Sequence, residues 1–354
     1  MTRVQRAWCV ALLLCTPLTA CEEEGASGPG YVYPGMQGGY DQGGTAGAPG
    51  YGPTMPDQGA TFAPPDDGTA PPPAGDGGAV PMDGSGGPVG PPPPASADPT
   101  FASASSAGGF TFQSYASPPT GAYAAGTIYH PDGPGPFAVV AIATGWLEAP
   151  LDGWGQFLAS HGFITMAFEV NNNISDPPTA RATALVGALD MLLAEGDRAG
   201  SPLAGRVNAA RQAVLGHSLG GGAALHAAKS DGHRLRASVA LTPCASPSCS
   251  DPPDVAPTFP QVTIPTLIIA AQNDGNADTD LYGWPYYQTL TNARPRMYAE
   301  FAGANHFIAN EPSTGTDAAR YVLSWLQAYV NDDVRYRQFL VPDGMFSRFD
   351  EVAP

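Results

Sequence analysis

The residues Gly216-His217-Ser218-Leu219-Gly220, followed at once by Gly221 and Gly222, put one serine between glycines just after the apolar run Gln212-Ala213-Val214-Leu215. A G-x-S-x-G at a strand-to-helix turn lifts its serine above a sheet on strained backbone, and the small flanking residues let strand and helix approach. The bare pattern is weak in a chain with 44 glycines, and its position gives it meaning. The bland alternative is a glycine-rich turn with an idle serine. A serine hydroxyl is a poor nucleophile at its own pKa, so acyl transfer through Ser218 requires a base within hydrogen-bond reach and an acid that orients the base. On such a sheet the chain order is Ser, then Asp or Glu, then His. Of six histidines only His306 lies late enough; His130, His161, His217, His226 and His233 read as core or surface residues, with His217 shaping the cleft. Asp274 is the first carboxylate after the apolar run 263–271 and is the candidate acid. Asp278 and Asp280 could substitute on spacing alone, and a helix-capping aspartate is the ordinary alternative.

These side chains need a frame. Apolar runs predict strands at 110–117, 126–130, 137–144, 163–170, 212–216, 237–242, 263–271 and 297–301, with amphipathic helices at 151–161, 179–195, 220–230, 279–290 and 317–330. The alternation predicts an α/β domain, a mostly parallel twisted sheet with helices on both faces and an antiparallel edge made by the first two strands. Asp274 and His306 then sit beyond the carboxyl ends of strands, where such sheets present reactive loops. In the last helix, Ala319, Val322, Leu323, Leu326 and Tyr329 form one apolar stripe. Between 242 and 263 the chain is too short and too rich in Pro, Ser and Asp for a long lid, which predicts an open cleft.

The whole chain has 354 residues and a formal charge of -17. Nucleic acid is a poor partner for such a surface, because phosphates need a basic stripe. Residues 22–98 hold 20 Gly and 16 Pro and no Lys or Arg, a composition that cannot offset its own chain entropy. The expected organisation is therefore a signal segment 1–20, a disordered tether 21–99 and one domain 100–354. Arg3 and Arg6, a short apolar stretch and Leu18-Thr19-Ala20-Cys21 resemble a bacterial lipoprotein signal, which implies cleavage and a lipidated Cys21. The membrane contact would be the lipid anchor alone, on the cell envelope after export, with a tether reach of roughly 50 Å. Once the signal is removed and Cys21 is lipidated, Cys244 and Cys249 remain, and an oxidising compartment favours a local disulfide between them, stabilising by roughly 2 kcal/mol. A lone C-x4-C without a nearby His argues against a metal site.

The domain also resembles the bacterial cutinase and polyethylene terephthalate hydrolase family of α/β-hydrolases. The resemblance runs from about Gly109 to Asp343 and is carried by Ala125-Gly126-Thr127-Ile128-Tyr129, Phe157-Leu158-Ala159-Ser160-His161-Gly162-Phe163, Gly216-His217-Ser218-Leu219-Gly220-Gly221-Gly222, Pro265-Thr266-Leu267-Ile268-Ile269, Asn305-His306-Phe307 and Arg335-Tyr336-Arg337-Gln338-Phe339. It implies a Ser218, Asp274 and His306 triad, and an oxyanion hole from the N–H groups of Leu219 and Trp146. The Trp146 ring would stack on the acyl part of the substrate; a plain core tryptophan is the alternative. The implied activity is carboxylic-ester hydrolysis of ester or polyester substrates by a monomeric domain, with no cofactor. Four features depart from the pattern. Thr242-Pro243-Cys244 replaces a substrate-facing tryptophan, and Gly275-Asn276-Ala277-Asp278 replaces an apolar loop. Val341 stands where the first cysteine of a C-terminal disulfide belongs, and the tether is extra. Two rival readings are a lipase or dienelactone-type hydrolase of small soluble esters, and an inactive lipid-tethered binding protein.

Overall fold

The structure, a computed structural model, describes residues 98–246, 249, 256–312, 317–342 and 344–353. The expected signal segment, Cys21 and the tether up to residue 97 lie outside them. Nine strands form one sheet: β1 (Phe112–Ala116), β2 (Ala125–Pro131), β3 (Phe137–Ala143), β4 (Phe163–Glu169), β5 (Val207–His217), β6 (Ala237–Leu241), β7 (Thr266–Ala271), β8 (Arg296–Phe301) and β9 (Phe346–Val352). Their spatial order is β1-β2-β4-β3-β5-β6-β7-β8-β9. The central pairs from β4 to β8 are parallel, whereas β1, β2 and β9 pair antiparallel at the two sides. This is the mostly parallel sheet expected from the alternation of elements, with the first two strands antiparallel at one edge, and it agrees with the α/β-hydrolase fold that the resemblance implies.

Strand β3, Phe-Ala-Val-Val-Ala-Ile-Ala, is buried at every position. A strand covered on both faces has no reason to alternate polar with apolar residues. Val139, Ala141 and Ala143 pack into one core with the helices α3 (Pro178–Asp197), α4 (Leu219–Asp231) and α5 (Gly283–Thr289). Ala138, Val140 and Ile142 pack into the other with α1 (Phe101–Ser105), α2 (Asp152–Ser160) and α6 (Ala318–Tyr329).

Several elements differ from the sequence expectation. Helix α6 is buried all round, because α1 and a 3-10 turn (Val334–Phe339) cover the side opposite its stripe, with Phe101 edge-on to Phe339. Helix α5 is shorter than 279–290. Residues 278–282 close a turn on the Asp278 carbonyl, and Pro285 falls in the first helical turn, where its missing N–H costs nothing. Strand β9 was not expected. It has a half-covered edge pattern and pairs with β8 through Phe346, Phe349 and their neighbours.

Candidate active site

The turn from β5 to α4 holds Ser218 at φ 57° and ψ -119°, a region that side-chain-bearing residues rarely occupy. It is tied down on both sides. Ser218 N–H donates to the Leu241 carbonyl at 2.9 Å, and the Ser218 carbonyl accepts from Gly222 at 3.0 Å and Cys244 at 2.9 Å. The flanking glycines are required by contact. A Cβ on Gly216 would lie 2.1 Å from the Gly220 carbonyl oxygen, and one on Gly220 would lie 2.3 Å from that of Ala143.

Asp274 follows β7 and His306 follows β8, so parallel pairing of these strands brings their following loops side by side. His306 Nδ1 donates to Asp274 Oδ2 at 2.8 Å, while Asp274 Oδ1 accepts from the Asn276 and Ala277 N–H groups at 2.9 and 2.8 Å. The carboxylate thus has a fixed orientation, and a proton on Nδ1 leaves Nε2 as the basic nitrogen. Ser218 and His306 line one cavity of about 870 Å³. Among the described residues no hydrogen bond joins Ser218 Oγ to His306; in unliganded enzymes such contacts are commonly loose and tighten around substrate. Asp278 and Asp280 are engaged elsewhere, the first accepting from the Asp280 N–H and the second from Arg348.

Leu219 is the first residue of α4, so its N–H has no partner within the helix. Trp146 and Leu147 lie between β3 and α2, on the loop that also carries Gly145. A Cβ on Gly145 would stand 2.9 Å from Ser218 Cβ, which shows how closely that loop approaches the serine. Among the described residues neither the Trp146 nor the Leu219 N–H donates to a protein acceptor. Trp146 is 57 % exposed, so it is no core residue; with Leu147, Ile174 and Phe307, each more than half exposed, it forms an apolar rim to the cavity. Cys244 and Cys249 are joined in a disulfide, and Cys249 and Asn276 also line the cavity.

Three residues of the site were not singled out by sequence reasoning or were given a lesser place. Glu148 Oε2 accepts from the Gly145 N–H at 2.6 Å and from His217 Nδ1 at 2.9 Å. His217 Nε2 donates to the His306 carbonyl at 3.0 Å, so His217 does more than shape the cleft. Burial pushes the Glu148 carboxyl up, but the hydrogen bond and charge of His217 and the Gly145 N–H outweigh it and hold the group below its ordinary 4.5. Arg181, fully buried on α3, donates to the carbonyls of Thr144, Gly145, Asn173 and Asp176 at 2.9 to 3.0 Å. No local motif announces either Glu148 or Arg181.

Comparison with known proteins gives concordant matches. A family described as PET hydrolase-like matches residues 90–352. Cutinase est2 of Thermobifida alba is 34 % identical over 234 residues, covering 65 % of this chain and 73 % of that protein. Bis(hydroxyethyl) terephthalate hydrolase of Streptomyces coelicolor is 35 % identical over 224 residues, covering 62 % and 66 %. Cutinase 1 of Thermobifida cellulosilytica is 35 % identical over 234 residues, covering 65 % and 83 %.

Proposed function

The chain belongs to the PET hydrolase-like family, and from that premise we propose that it is a cutinase-like serine carboxylic-ester hydrolase with Ser218 as nucleophile, His306 as base and Asp274 as the acid that orients it. His306 Nε2 takes the proton of Ser218 Oγ as the oxygen attacks an ester carbonyl. The N–H groups of Trp146 and Leu219 receive the oxyanion, and Asp274 stabilises the imidazolium. The proton passes to the departing alkoxide, an acyl-enzyme remains, and a water activated by the same histidine releases the acid.

One observation carries the reading: a His306–Asp274 hydrogen bond of 2.8 Å opens onto the cavity that a serine on strained backbone also lines. The exposed apolar rim suits an acyl chain or polymer segment. With a disulfide and Asn276 where polyester hydrolases are expected to place apolar and aromatic groups, the reading extends to esters broadly and singles out no aromatic polyester. The site lies outside a bacterial membrane, carried by lipidated Cys21; the N-terminal sequence and the disulfide support that placement.

A fluorophosphonate probe is expected to label the wild type and spare Ser218→Ala, whose turnover of C2 to C8 p-nitrophenyl esters falls roughly 10⁴- to 10⁶-fold. A panel that adds aliphatic and aromatic polyester films separates a polymer hydrolase from a hydrolase of small soluble esters. Pure folded protein that neither takes the probe nor cleaves any ester is a binding protein, and the reading fails.

A further inference from the structure

We propose that Glu148 and His217 form a proton-bearing clamp that sets the oxyanion loop against the His306 loop, which makes Glu148 a positioning residue for ester hydrolysis. The inference rests on the reading of Ser218, His306 and Asp274 given above. It starts from which atoms can donate. The His306 carbonyl oxygen can only accept, so His217 Nε2, 3.0 Å away, carries a hydrogen. The Gly145 N–H can only donate, so at 2.6 Å Glu148 Oε2 accepts it. The same oxygen faces His217 Nδ1 at 2.9 Å, and an ionised carboxylate offers no hydrogen, so Nδ1 carries one too. His217 is then an imidazolium paired with the Glu148 carboxylate. Burial suits a closed pair: the His217 side chain is 1 % exposed and that of Glu148 17 %.

The chain of contacts runs from the main chain beside Trp146 to the main chain of the base. Gly145 immediately precedes the Trp146 N–H. The His306 carbonyl, also bonded by Thr242 Oγ1 at 3.1 Å, fixes the backbone that carries the imidazole. Removing the shared proton leaves His217 with a hydrogen on one nitrogen only, so one end of the clamp must open. A shift of the order of 1 Å between an oxyanion donor and a base is enough to cost about 100-fold in rate.

Other charges face the pair. His306 lies with its ring centroid 4.9 Å from that of His217 and is bonded to Asp274. Arg181 grips the Gly145 carbonyl on the other side of the loop. The charges of Glu148 and Asp152 act on Glu311 and raise its pKa beyond what burial does alone. None of these supplies the hydrogen that Nδ1 or Nε2 requires.

The test is Glu148→Gln, with kcat and KM for a short p-nitrophenyl ester measured from pH 6 to 10. An amide in place of the carboxylate carries no charge to hold an imidazolium. The expected result is a fall in kcat of about 10- to 100-fold with KM within about 3-fold, and an alkaline limb of the kcat profile that moves to lower pH. In the wild type, ¹⁵N-histidine NMR at pH 7, with the His217 signals assigned by their loss in His217→Asn, is expected to show hydrogens on both nitrogens. A neutral His217 at pH 7 overturns the clamp, as does a Glu148→Gln enzyme with kcat within 2-fold of wild type and an unmoved profile. Should Glu148→Gln fail to fold, the NMR measurement on the wild type decides alone. Fluorophosphonate labelling of Ser218 keeps the two claims apart: wild type that takes the probe while the clamp tests fail loses only the clamp.

Discussion

Two histidines, His217 and His306, stand ring to ring at the carboxyl end of the sheet, and their partners give them different work. His306 Nδ1 has a carboxylate, Asp274, that is itself held by two main-chain N–H groups, so its ring leaves one nitrogen for chemistry. His217 has acceptors at both nitrogens and leaves none. Replacing Asp274 with Asn is expected to turn the His306 ring into the wrong tautomer, because the amide can donate where the carboxylate only accepts; kcat on p-nitrophenyl butyrate should drop about 10⁴-fold while Tm changes by only a few degrees. Rate and thermal unfolding measured on the same preparation check both halves. Ser218, Asp274 and His306 were legible in the sequence because each follows an apolar run that must end at the same edge of a parallel sheet. Glu148 and Arg181 were not, because the partners that tie them to the site, His217 and Gly145, lie 69 and 36 positions away and no spacing rule links residues that meet only after folding.

At the scale of elements, the loop that carries Trp146 has no regular structure of its own and is held from α3. Arg181 spends its guanidinium on four main-chain carbonyls, two of them the residues just before Trp146. Arg181→Met removes every one of those donors while keeping much of the bulk, so the buried carbonyls lose their partners. A loss of about 3 kcal/mol or more is expected in urea unfolding, with ester turnover falling in any protein that still folds. The same scale explains what was readable. Strands β3 and β7 and the second half of β5 announce themselves as mostly apolar runs because both of their faces are covered. Strand β9 mixes Ser, Arg, Asp and Glu with its phenylalanines because it is an edge, paired on one side only. The single stripe read on α6 understates its burial, since the covering pieces, α1 and the 3-10 turn, lie before and after it in the chain and carry no mark of their destination.

For the whole molecule, the acidic excess is shared unevenly. Ten carboxylates fall between residues 22 and 98, where no Lys or Arg offsets them, so the domain itself is only moderately acidic. If Cys21 is the anchor, cells fed a radiolabelled or alkynyl fatty acid will incorporate it into the wild type and not into Cys21→Ser, which will leave the membrane fraction; label retained by the variant excludes this anchor. The apolar rim has a consequence of its own. If the substrate is an insoluble ester, four apolar side chains around the mouth are expected to hold the enzyme on it before any bond is cut. Turnover on a solid then follows an adsorption isotherm: the accessible area of the material sets the pace, and a rim made stickier would slow the enzyme by delaying its departure from patches already consumed.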